Sequence, residues 1–411
     1  MGLIQKIGIN TKVLLQKTLW KKEKMNYTRI IEQENTFIKE PTMRLIATNL
    51  LVPGMQLGKT IYNESGAILL KKKIPLTEAM IKRLQQLGIT YVYIEDSRTD
   101  DIAPRFKVSE ETRKHTIVTI ETLFKEIQCQ PNLSKIFTLE KEAERFQQLI
   151  QNMLTEMRQN TDLVSLLTDI YVYDDYTFSH SFNVTLYALA LGIELKLSNK
   201  ELIQLGLGAI LHDIGKMCVP IEILNKPDKL TEEEYELMKK HTEMGFEILR
   251  QSYTIPLLAA HCAYQHHERL DGSGYPRGLK GDEIHYFGRL LAIVDVFDAV
   301  TSNRVYRRAM LPHEGLEILY SGAGTKFDKE MVEAFRRAIA VYPVGLFVEL
   351  NDGRKGVIAK QNDQLSERPI VRILEEGDVQ LKEPYEIDLK DHLNIMIINC
   401  ETKMVAGNKK M

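Results

Sequence analysis

The sequence predicts a multidomain protein with a central all-α domain, flanked by a small N-terminal α+β unit and a small C-terminal β domain. At about 150 residues per domain, 411 residues allow two or three domains. Between residues 161 and 340, apolar residues recur at helical spacing in segments separated by Gly and Pro. From Val344 onward apolar residues tend to alternate, which predicts strands. The expected divisions are a basic polar leader at 1–42, the α+β unit at 43–97, a linker with helices at 98–160, the all-α domain at 161–340, and the β domain with a polar tail at 341–411.

The elements before the central domain have clear start and stop signals. In the α+β unit, Thr77 is placed to cap a helix that Gly88 ends, and residues 91–94 follow as a strand. In the linker, Ser109 precedes two glutamates and favours a helix start. Apolar residues recur at helical spacing after Ser109 and again after Pro131. We expect both stripes to pack in the core rather than to form a dimer seam.

The C-terminal domain is predicted from a hairpin and two further strands. Residues 346–350 and 356–359 alternate around an Asn-Asp-Gly turn at 351–353. Further apolar runs at 370–373 and 395–398 predict two more strands.

Composition excludes several classes of protein. The chain has 54 Lys and Arg against 56 Asp and Glu, so its net charge of −2 offers no general attraction to a nucleic acid polymer. No run approaches the roughly 20 apolar residues of a membrane-spanning helix, so we expect no integral membrane segment. The leader carries eight Lys or Arg against four Glu. A disordered tail or an upstream start codon explains it more simply than an amphipathic surface helix.

The cysteines indicate the compartment. They are too far apart for a disulfide scaffold or a cysteine zinc site, which fits a reducing environment and predicts a cytoplasmic protein. The four are Cys129, Cys218, Cys262 and Cys400.

Five histidines and two aspartates occupy apolar segments where such side chains are costly. Burying a charge without a partner costs several kcal/mol, so these side chains need hydrogen bonds or an opposite charge nearby. One buried histidine is usually a satisfied core residue, but seven residues with metal-ligand chemistry favour a metal site. Imidazole together with carboxylate suits Fe, Mn or Zn better than Ca or Mg. The seven are His180, His212, Asp213, His241, His266, His267 and Asp295.

The HDIGK segment at 212–216 adds an expected geometry. If the helix continues, His212 and Lys216 project to one side, and Asp213 also neighbours Lys216. Gly215 would then keep the surface low for a ligand, and Asp213 has two oxygens with which to bridge two metals. The alternative is an exposed Asp–Lys pair, but the apolar residues at 205–211 argue against exposure.

Two further segments point to a binding site. The His266–His267 pair is followed by a Gly-rich loop that Tyr275-Pro276 stiffens, and a plain turn would not explain the two histidines. After Asp295, two adjacent arginines follow a third by about one helical turn, suitable for bidentate phosphate contacts or for a solvated basic face. These are Arg304, Arg307 and Arg308.

Taken together, these motifs resemble the HD-GYP family of bacterial phosphodiesterases that act on cyclic-di-GMP. The resemblance runs from about Asp174 to Phe335. The matching segments are DDYTFSHS at 174–181, HDIGK at 212–216, His241 with Gly245, HHERLDGSGYP at 266–276, DVFDA at 295–299, TSNRVYR at 301–307 and GTKFD at 324–328.

The resemblance implies an all-helical HD-type domain with a metal centre. Some family members hold a third metal through a Glu where Tyr176 stands here, so two divalent transition-metal ions are expected. Lys216 would contact the substrate phosphate, and Asp174 would orient Lys216. The implied ligands are His180, His212, Asp213, His241, His266, His267 and Asp295, and the further substrate contacts are Tyr275, Arg304 and Arg307.

The departures from the family pattern remove no implied ligand. They are Asn303 for Asp, His285 for Pro and Gly288 for Ala. We therefore expect a metal-activated hydroxide to open cyclic-di-GMP to pGpG, and GMP could follow. The alternatives are a phosphohydrolase of another cyclic dinucleotide and a signalling receptor that binds without hydrolysis. A homodimer or a signalling-protein partner is left open.

Overall fold

The computed structural model describes most of the chain after residue 42. All described residues belong to one compact unit, Thr42–Met411, and the predicted leader at 1–42 lies outside them. The described ranges are 43–62, 68–99, 102, 107–128, 132–159, 176–226, 228–302, 309–362, 365–377 and 379–400. Among these residues, no helix combines the length and hydrophobicity that crossing a bilayer requires.

The N-terminal segment folds as an α+β unit. β1 (Met43–Ala47) pairs antiparallel with β4 (Tyr91–Glu95), so the strand predicted at 91–94 is confirmed. β2 (Ile61–Tyr62) pairs in the same sense with β3 (Ile68–Leu70). Helix α1 (Glu78–Gln86) lies between β3 and β4 in the chain.

Both predicted ends of α1 are confirmed. The Thr77 hydroxyl accepts a hydrogen bond from the Met80 N–H at 3.3 Å, which satisfies one of the free donors of the first turn. Gly88 follows the last turn with a φ of 72°, a conformation that glycine adopts without strain. Ile81 and Leu84 are buried, so the apolar stripe of α1 faces the core.

Two long helices link this unit to the central domain. They are α2 (Glu110–Gln128) and α3 (Asn132–Gln159). Ser109 caps α2, because its hydroxyl accepts the Thr112 N–H at 3.2 Å. The apolar stripes of both helices, including Phe124 of α2, belong to the hydrophobic core of the central helices. The prediction that these stripes pack in the core is confirmed.

The central region is helical, as predicted. Its interior is lined by fully buried aliphatic side chains such as Leu205, Ala209 and Leu290. The helices described after residue 175 are α4 (Tyr176–Glu194), α5 (Asn199–Leu211), α6 (Ile221–Leu224), α7 (Glu232–Lys239), α8 (His241–Leu249), α9 (Leu257–Gln265), α10 (Tyr286–Thr301), α11 (Pro312–Ser321) and α12 (Lys329–Ala338).

A five-stranded antiparallel sheet follows. Its spatial order is β8-β7-β6-β5-β9. The strands are β5 (Phe347–Leu350), β6 (Arg354–Lys360), β7 (Ile370–Glu376), β8 (Val379–Asp388) and β9 (Ile397–Cys400). The predicted hairpin is confirmed, with Gly353 at a φ of 85° in the turn. β9 begins two residues later than expected. β8 was not predicted, because it is largely exposed and lacks the apolar alternation of a half-buried strand.

The two units at the ends of the described chain share one hydrophobic core. Leu45 of β1 donates its N–H to the carbonyl of Gly345 at 2.8 Å, next to the start of β5. Leu45 and Tyr93 of the N-terminal strands are buried in one cluster with Val348 and Ile358 of the C-terminal sheet. Local sequence patterns could not predict this contact, because the partners lie far apart in the chain.

Replacing Gly345 should therefore loosen both units. Gly345 has a φ of 89°, and a Cβ there would lie 3.2 Å from the Met43 carbonyl oxygen and 3.3 Å from the Leu45 nitrogen. We expect Gly345→Ala to lower the free energy of unfolding by about 2–4 kcal/mol, from left-handed strain and crowding together. Urea unfolding followed by circular dichroism would measure this change.

Gly353→Ala is the matched control for this prediction. Gly353 has a φ of 85°, but a Cβ there would meet nothing within 4 Å. It should cost only the strain, about 1–2 kcal/mol. Equal losses in the two variants would contradict the close approach at Gly345.

Candidate metal centre

The seven side chains that were singled out as metal-type residues lie together among the central helices. Each is within 4.0 Å of another member of the set through side-chain nitrogen and oxygen atoms. They come from different elements. His180 lies in α4, His212 and Asp213 follow α5, His241 begins α8, His266 and His267 follow α9, and Asp295 lies in α10.

Ligand-type atoms in the site form two clusters. The first consists of His180, His212 and Asp213, and all three residues are buried. The second consists of His241, His266 and His267, of which His267 is partly exposed. Within each cluster the ligand-type atoms lie within 4.8 Å of one another, a spacing at which one ion could contact them all.

The Asp213 carboxylate lies between the two clusters. Its Oδ2 is 3.5 Å from the Nε2 of His180 and 3.4 Å from the Nε2 of His212. Its Oδ1 is 3.4 Å from the Nε2 of His241 and 3.8 Å from the Nε2 of His266. Each oxygen therefore faces a different cluster, which is the arrangement that a bridging carboxylate requires.

Asp295 also contacts both clusters. Its Oδ1 is 3.1 Å from the Nε2 of His180, and its Oδ2 is 3.6 Å from the Nδ1 of His267. Two carboxylates thus lie among five imidazoles in the interior of the domain.

Backbone carbonyls set the orientation of three of the imidazole rings. In each case Nδ1 faces a carbonyl oxygen of the preceding helical turn, which places the proton on Nδ1 and leaves the lone pair on Nε2. The pairs are His212 with Ala209 at 2.7 Å, His241 with Met238 at 2.7 Å, and His266 with Ala263 at 2.9 Å.

This orientation brings lone pairs face to face. The Nε2 atoms of His241 and His266 are 3.3 Å apart. Burial lowers the pKa of His241 to about 4 and holds that of His266 well below its usual value, so both rings are neutral at pH 7. Oδ1 of Asp213 is buried and has no hydrogen-bond partner among the described residues. Three facing acceptors without a donor fit a bound cation.

Both carboxylates in the site are ionised. Burial alone would raise the pKa of Asp213, but Lys216 and His212 hold it well below its usual value. Burial would likewise raise the pKa of Asp295, but the hydrogen bond with His180 and the neighbouring His267 and His266 together hold it well below its usual value. The donor set therefore combines anionic oxygens with imidazole nitrogens, which suits divalent transition metals.

Asp298 is a site residue that sequence reasoning missed. Its Oδ2 lies 2.8 Å from the Nδ1 of His180, and its Oδ1 accepts hydrogen bonds from Asn183 and Ser302. Burial disfavours a charge on His180, but its bonds to Asp295 and Asp298 raise its pKa to about 9. A second Asp one helical turn after Asp295, in an equally apolar segment, was the signal that could have identified it.

The geometry expected around Lys216 is partly wrong. Helix α5 ends at Leu211, and Ile214–Cys218 forms a 3₁₀ turn, so His212 and Lys216 do not share one α-helix. The expected Asp213–Lys216 contact is confirmed, with Lys216 Nζ donating to Asp213 Oδ2 at 2.6 Å. The pair is not exposed, because the Asp213 side chain is buried.

Gly215 has a different purpose from the one expected. A Cβ at this position would lie 1.9 Å from the carbonyl oxygen of His241 and 2.6 Å from the nitrogen of Gly245. Gly215 therefore permits the 3₁₀ turn to pack against α8, which brings Asp213 next to His241. The expectation that Gly215 keeps the surface low for a ligand is therefore wrong.

The loop after the histidine pair is held by a second missed residue. The buried carboxylate of Glu268 accepts the backbone N–H groups of Arg277 at 2.8 Å and Leu279 at 3.0 Å. The loop places the ring of Tyr275 against the ring of His267, with centroids 4.6 Å apart. Tyr275 thus borders the site, where its predicted contact with substrate remains a prediction.

Several predicted site residues lie outside the described residues. They are Asp174, Arg304, Arg307 and the neighbouring Arg308. Their expected contacts with Lys216 and with substrate stay predictions.

Comparison with known families identifies the central region. Residues 144–331 match the family model described as an HD domain. The central helical region is therefore similar to an HD domain. Residues 347–405 match a KOW domain associated with HD domains, in agreement with the strand-rich C-terminal region. The match to the HD domain begins within α3, and the predicted boundary at residue 161 stays a prediction.

Three relatives that match this region are all named as phosphodiesterases. A cyclic di-GMP phosphodiesterase of Pseudomonas aeruginosa is 35% identical over 225 residues, which cover 55% of this chain and 54% of that protein. One of Thermotoga maritima is 40% identical over 202 residues, covering 49% and 54%. A 3′3′-cGAMP-specific phosphodiesterase of Vibrio cholerae is 39% identical over 168 residues, covering 41% and 36%. The resemblance to HD-GYP phosphodiesterases is confirmed for the HD domain, although the chain spans only about half, or less, of each relative's length.

The contact at Gly215 can be tested by substitution. Gly215→Ala should force the 3₁₀ turn away from α8 and lower the free energy of unfolding by about 3 kcal/mol or more, since backbone atoms cannot give way as side chains do. Chemical denaturation would measure this loss. Gly245→Ala is the comparison on the facing side of the same contact, because its Cβ would lie no nearer than 3.3 Å to the Ala263 side chain and to the Gly215 nitrogen, a much milder crowding. A loss at Gly215 no larger than that at Gly245 would count against this packing.

Proposed function

We propose that this chain is a metal-dependent phosphodiesterase that opens cyclic-di-GMP to pGpG and can continue to GMP. The observation that carries the proposal is the convergence of imidazole nitrogens and ionised carboxylates on two adjacent clusters inside a region that matches an HD domain. The names of the relatives support the choice of substrate.

We assign two divalent ions to the two clusters, with Fe, Mn or Zn as candidates. Asp213 would contribute to both ions through its separate oxygens, and Asp295 would contribute from the other side. The proposed ligands are His180, His212, Asp213, His241, His266, His267 and Asp295.

The chain's own groups would position the substrate and balance its charge. When bound, the divalent ions supply Lewis-acid stabilisation of phosphoryl oxygens and a lowered pKa for water. The Lys216 ammonium, held by Asp213 at 2.6 Å, lies where it can also meet a phosphate oxygen and offset developing negative charge. Asp298 holds the His180 ring in place through Nδ1. Arg304 and Arg307 are proposed as further phosphate or guanine contacts.

A second candidate is hydrolysis of another cyclic dinucleotide. The Vibrio cholerae relative named for 3′3′-cGAMP supports it. Both candidates would use the same metal centre and differ in base recognition. Turnover of a panel of cyclic dinucleotides would separate them, and binding without turnover would instead indicate a receptor.

We place the proposed activity in the cytoplasm. The four cysteines are widely separated in the sequence and offer no disulfide scaffold, which fits a reducing compartment. We also propose that the flanking units bind either a second copy of this chain or a signalling protein.

The metal assignment predicts the behaviour of Asp213→Ala. This change removes the only carboxylate that faces four of the predicted imidazole ligands, among the described residues. Cyclic-di-GMP hydrolysis should fall by more than about 100-fold. Even substitutions of residues that only hydrogen-bond to a metal ligand typically reduce activity or metal affinity by about 10–100-fold. Metal content of the purified variant should fall as well, measured by elemental analysis.

Asp391→Ala is the control for a general effect of losing a carboxylate, since Asp391 is exposed in the C-terminal domain. It should keep metal content and turnover. Chelation of the unmodified protein should abolish hydrolysis, and adding Mn, Fe or Zn should restore it. Undiminished turnover in Asp213→Ala would refute the assignment.

Asp298 provides a test that leaves every proposed ligand in place. Asp298→Ala removes the partner of His180 Nδ1, so the ring loses its orientation and some basicity. Metal affinity should weaken by about 10–100-fold, as measured by competition with a coloured chelator. Asp298→Asn retains an acceptor and should show a smaller loss. Unchanged affinity in both variants would show that Asp298 does not orient the ring.

A further inference from the structure

A group of aromatic and charged side chains borders the second cluster on its outer side. It consists of Tyr235, Glu236 and Lys239 on α7, together with Tyr275 from the Gly-rich loop, and is named here the α7 rim. The rim begins at the metal centre, because the Tyr275 ring lies 4.6 Å from the ring of His267.

Contacts within the α7 rim connect the site to solvent. The rings of Tyr275 and Tyr235 meet edge to face with centroids 6.5 Å apart. The Lys239 ammonium lies 5.3 Å from the centre of the Tyr235 ring and 5.8 Å from that of Tyr275. Lys239 also forms an ion pair with Glu236. Tyr235 is 47% exposed, so part of its ring is available to a ligand.

Packing of the fold does not account for these side chains. Helix α7 buries none of its residues, so neither the ring of Tyr235 nor the ion pair of Glu236 and Lys239 contributes to a hydrophobic core. An exposed ion pair of this kind contributes little to stability. Aromatic rings beside an ammonium and a carboxylate, next to a site for phosphate chemistry, have the chemistry of a nucleobase contact.

We propose that the α7 rim binds a guanine base of the dinucleotide whose phosphate is cleaved at the metal centre. This inference rests on the proposed function and deepens it by naming a base-specific contact. The Tyr235 ring would stack on the base, and the Glu236–Lys239 pair would hydrogen-bond its Watson–Crick edge.

The pair of Glu236 and Lys239 matches guanine rather than adenine. Guanine presents an acceptor, O6, beside two donors, N1–H and the N2 amino group. Lys239 can only donate and ionised Glu236 can only accept, so the two together complement that order. Adenine presents a single donor, N6, beside an acceptor, N1, so it cannot donate to both oxygens of the Glu236 carboxylate as N1–H and N2–H of guanine can. Sites with unpaired polar groups reject the wrong ligand strongly.

The test compares two diesters on the same metal-loaded, full-length protein. Cyclic-di-GMP carries the base, and bis(4-nitrophenyl) phosphate lacks it. For Tyr235→Ala, the ratio of kcat/KM for cyclic-di-GMP to that for the small diester should fall about tenfold, because a stacking surface is lost. Tyr235→Phe should recover most of this ratio. Tyr253→Ala is the control, since Tyr253 is 96% exposed outside the rim.

Base selectivity is measured separately by equilibrium binding of GMP and AMP. The unmodified protein should prefer GMP, and Glu236→Gln should reduce that preference about tenfold. Glu247→Gln is the matched control, because Glu247 pairs with Arg250 at the same three-residue spacing on α8. It should retain the preference.

The outcomes distinguish the two proposals. Equal losses on both diesters in Tyr235→Ala, or no preference for GMP in the unmodified protein, would overturn the α7 rim as a guanine site. If Glu236→Gln removes a preference for GMP, the α7 rim is supported as a guanine site. If the unmodified protein at the same time cleaves only the small diester, cyclic-di-GMP hydrolysis is refuted while the rim still stands.

Discussion

The position of the Asp213 carboxylate is the constraint on which the rest of the centre depends. A charged group in the interior is tolerated only if other groups compensate for its lost hydration. Here Lys216 donates to one oxygen, while the other oxygen faces the lone pairs of His241 and His266. The surrounding helices supply these compensating groups. The 3₁₀ turn that carries Lys216 packs on α8 only because residue 215 has no side chain.

The histidine rings are also held by hydrogen bonds at the nitrogen that faces away from Asp213. Carbonyl oxygens of the preceding turns hold three rings, and the Asp298 carboxylate holds His180. Rings fixed in this way need no reorganisation when a cation binds, so more of the binding free energy is retained. Glu268 has the same effect on the loop, because it fixes the backbone that places Tyr275 against His267.

Residue type and periodicity predicted the helices, the hairpin and the seven clustered side chains, because each produces a local signal. A histidine or aspartate in an apolar segment is conspicuous without any structure. The role of Gly215 could not be predicted, since it depends on how closely α8 approaches. Asp298 was overlooked because its partner, His180, is remote in sequence. β8 was overlooked because an exposed strand carries no apolar alternation. Local sequence patterns therefore predicted individual elements better than contacts between distant ones.

The core shared by the first and last strands has a consequence for biosynthesis. Leu45 and Leu346 form a parallel bridge although about 300 residues separate them. Closing a chain of that length costs about 5 kcal/mol beyond a constant, as (3/2)RT ln n. A ribosome adding about 5–20 residues per second needs about 15–60 s to supply the missing partner. During that time β1 and β4 expose apolar surface that is covered in the folded protein by the C-terminal sheet. The N-terminal unit is therefore made long before the strands that complete its core, so its apolar face stays open to misassembly until they emerge.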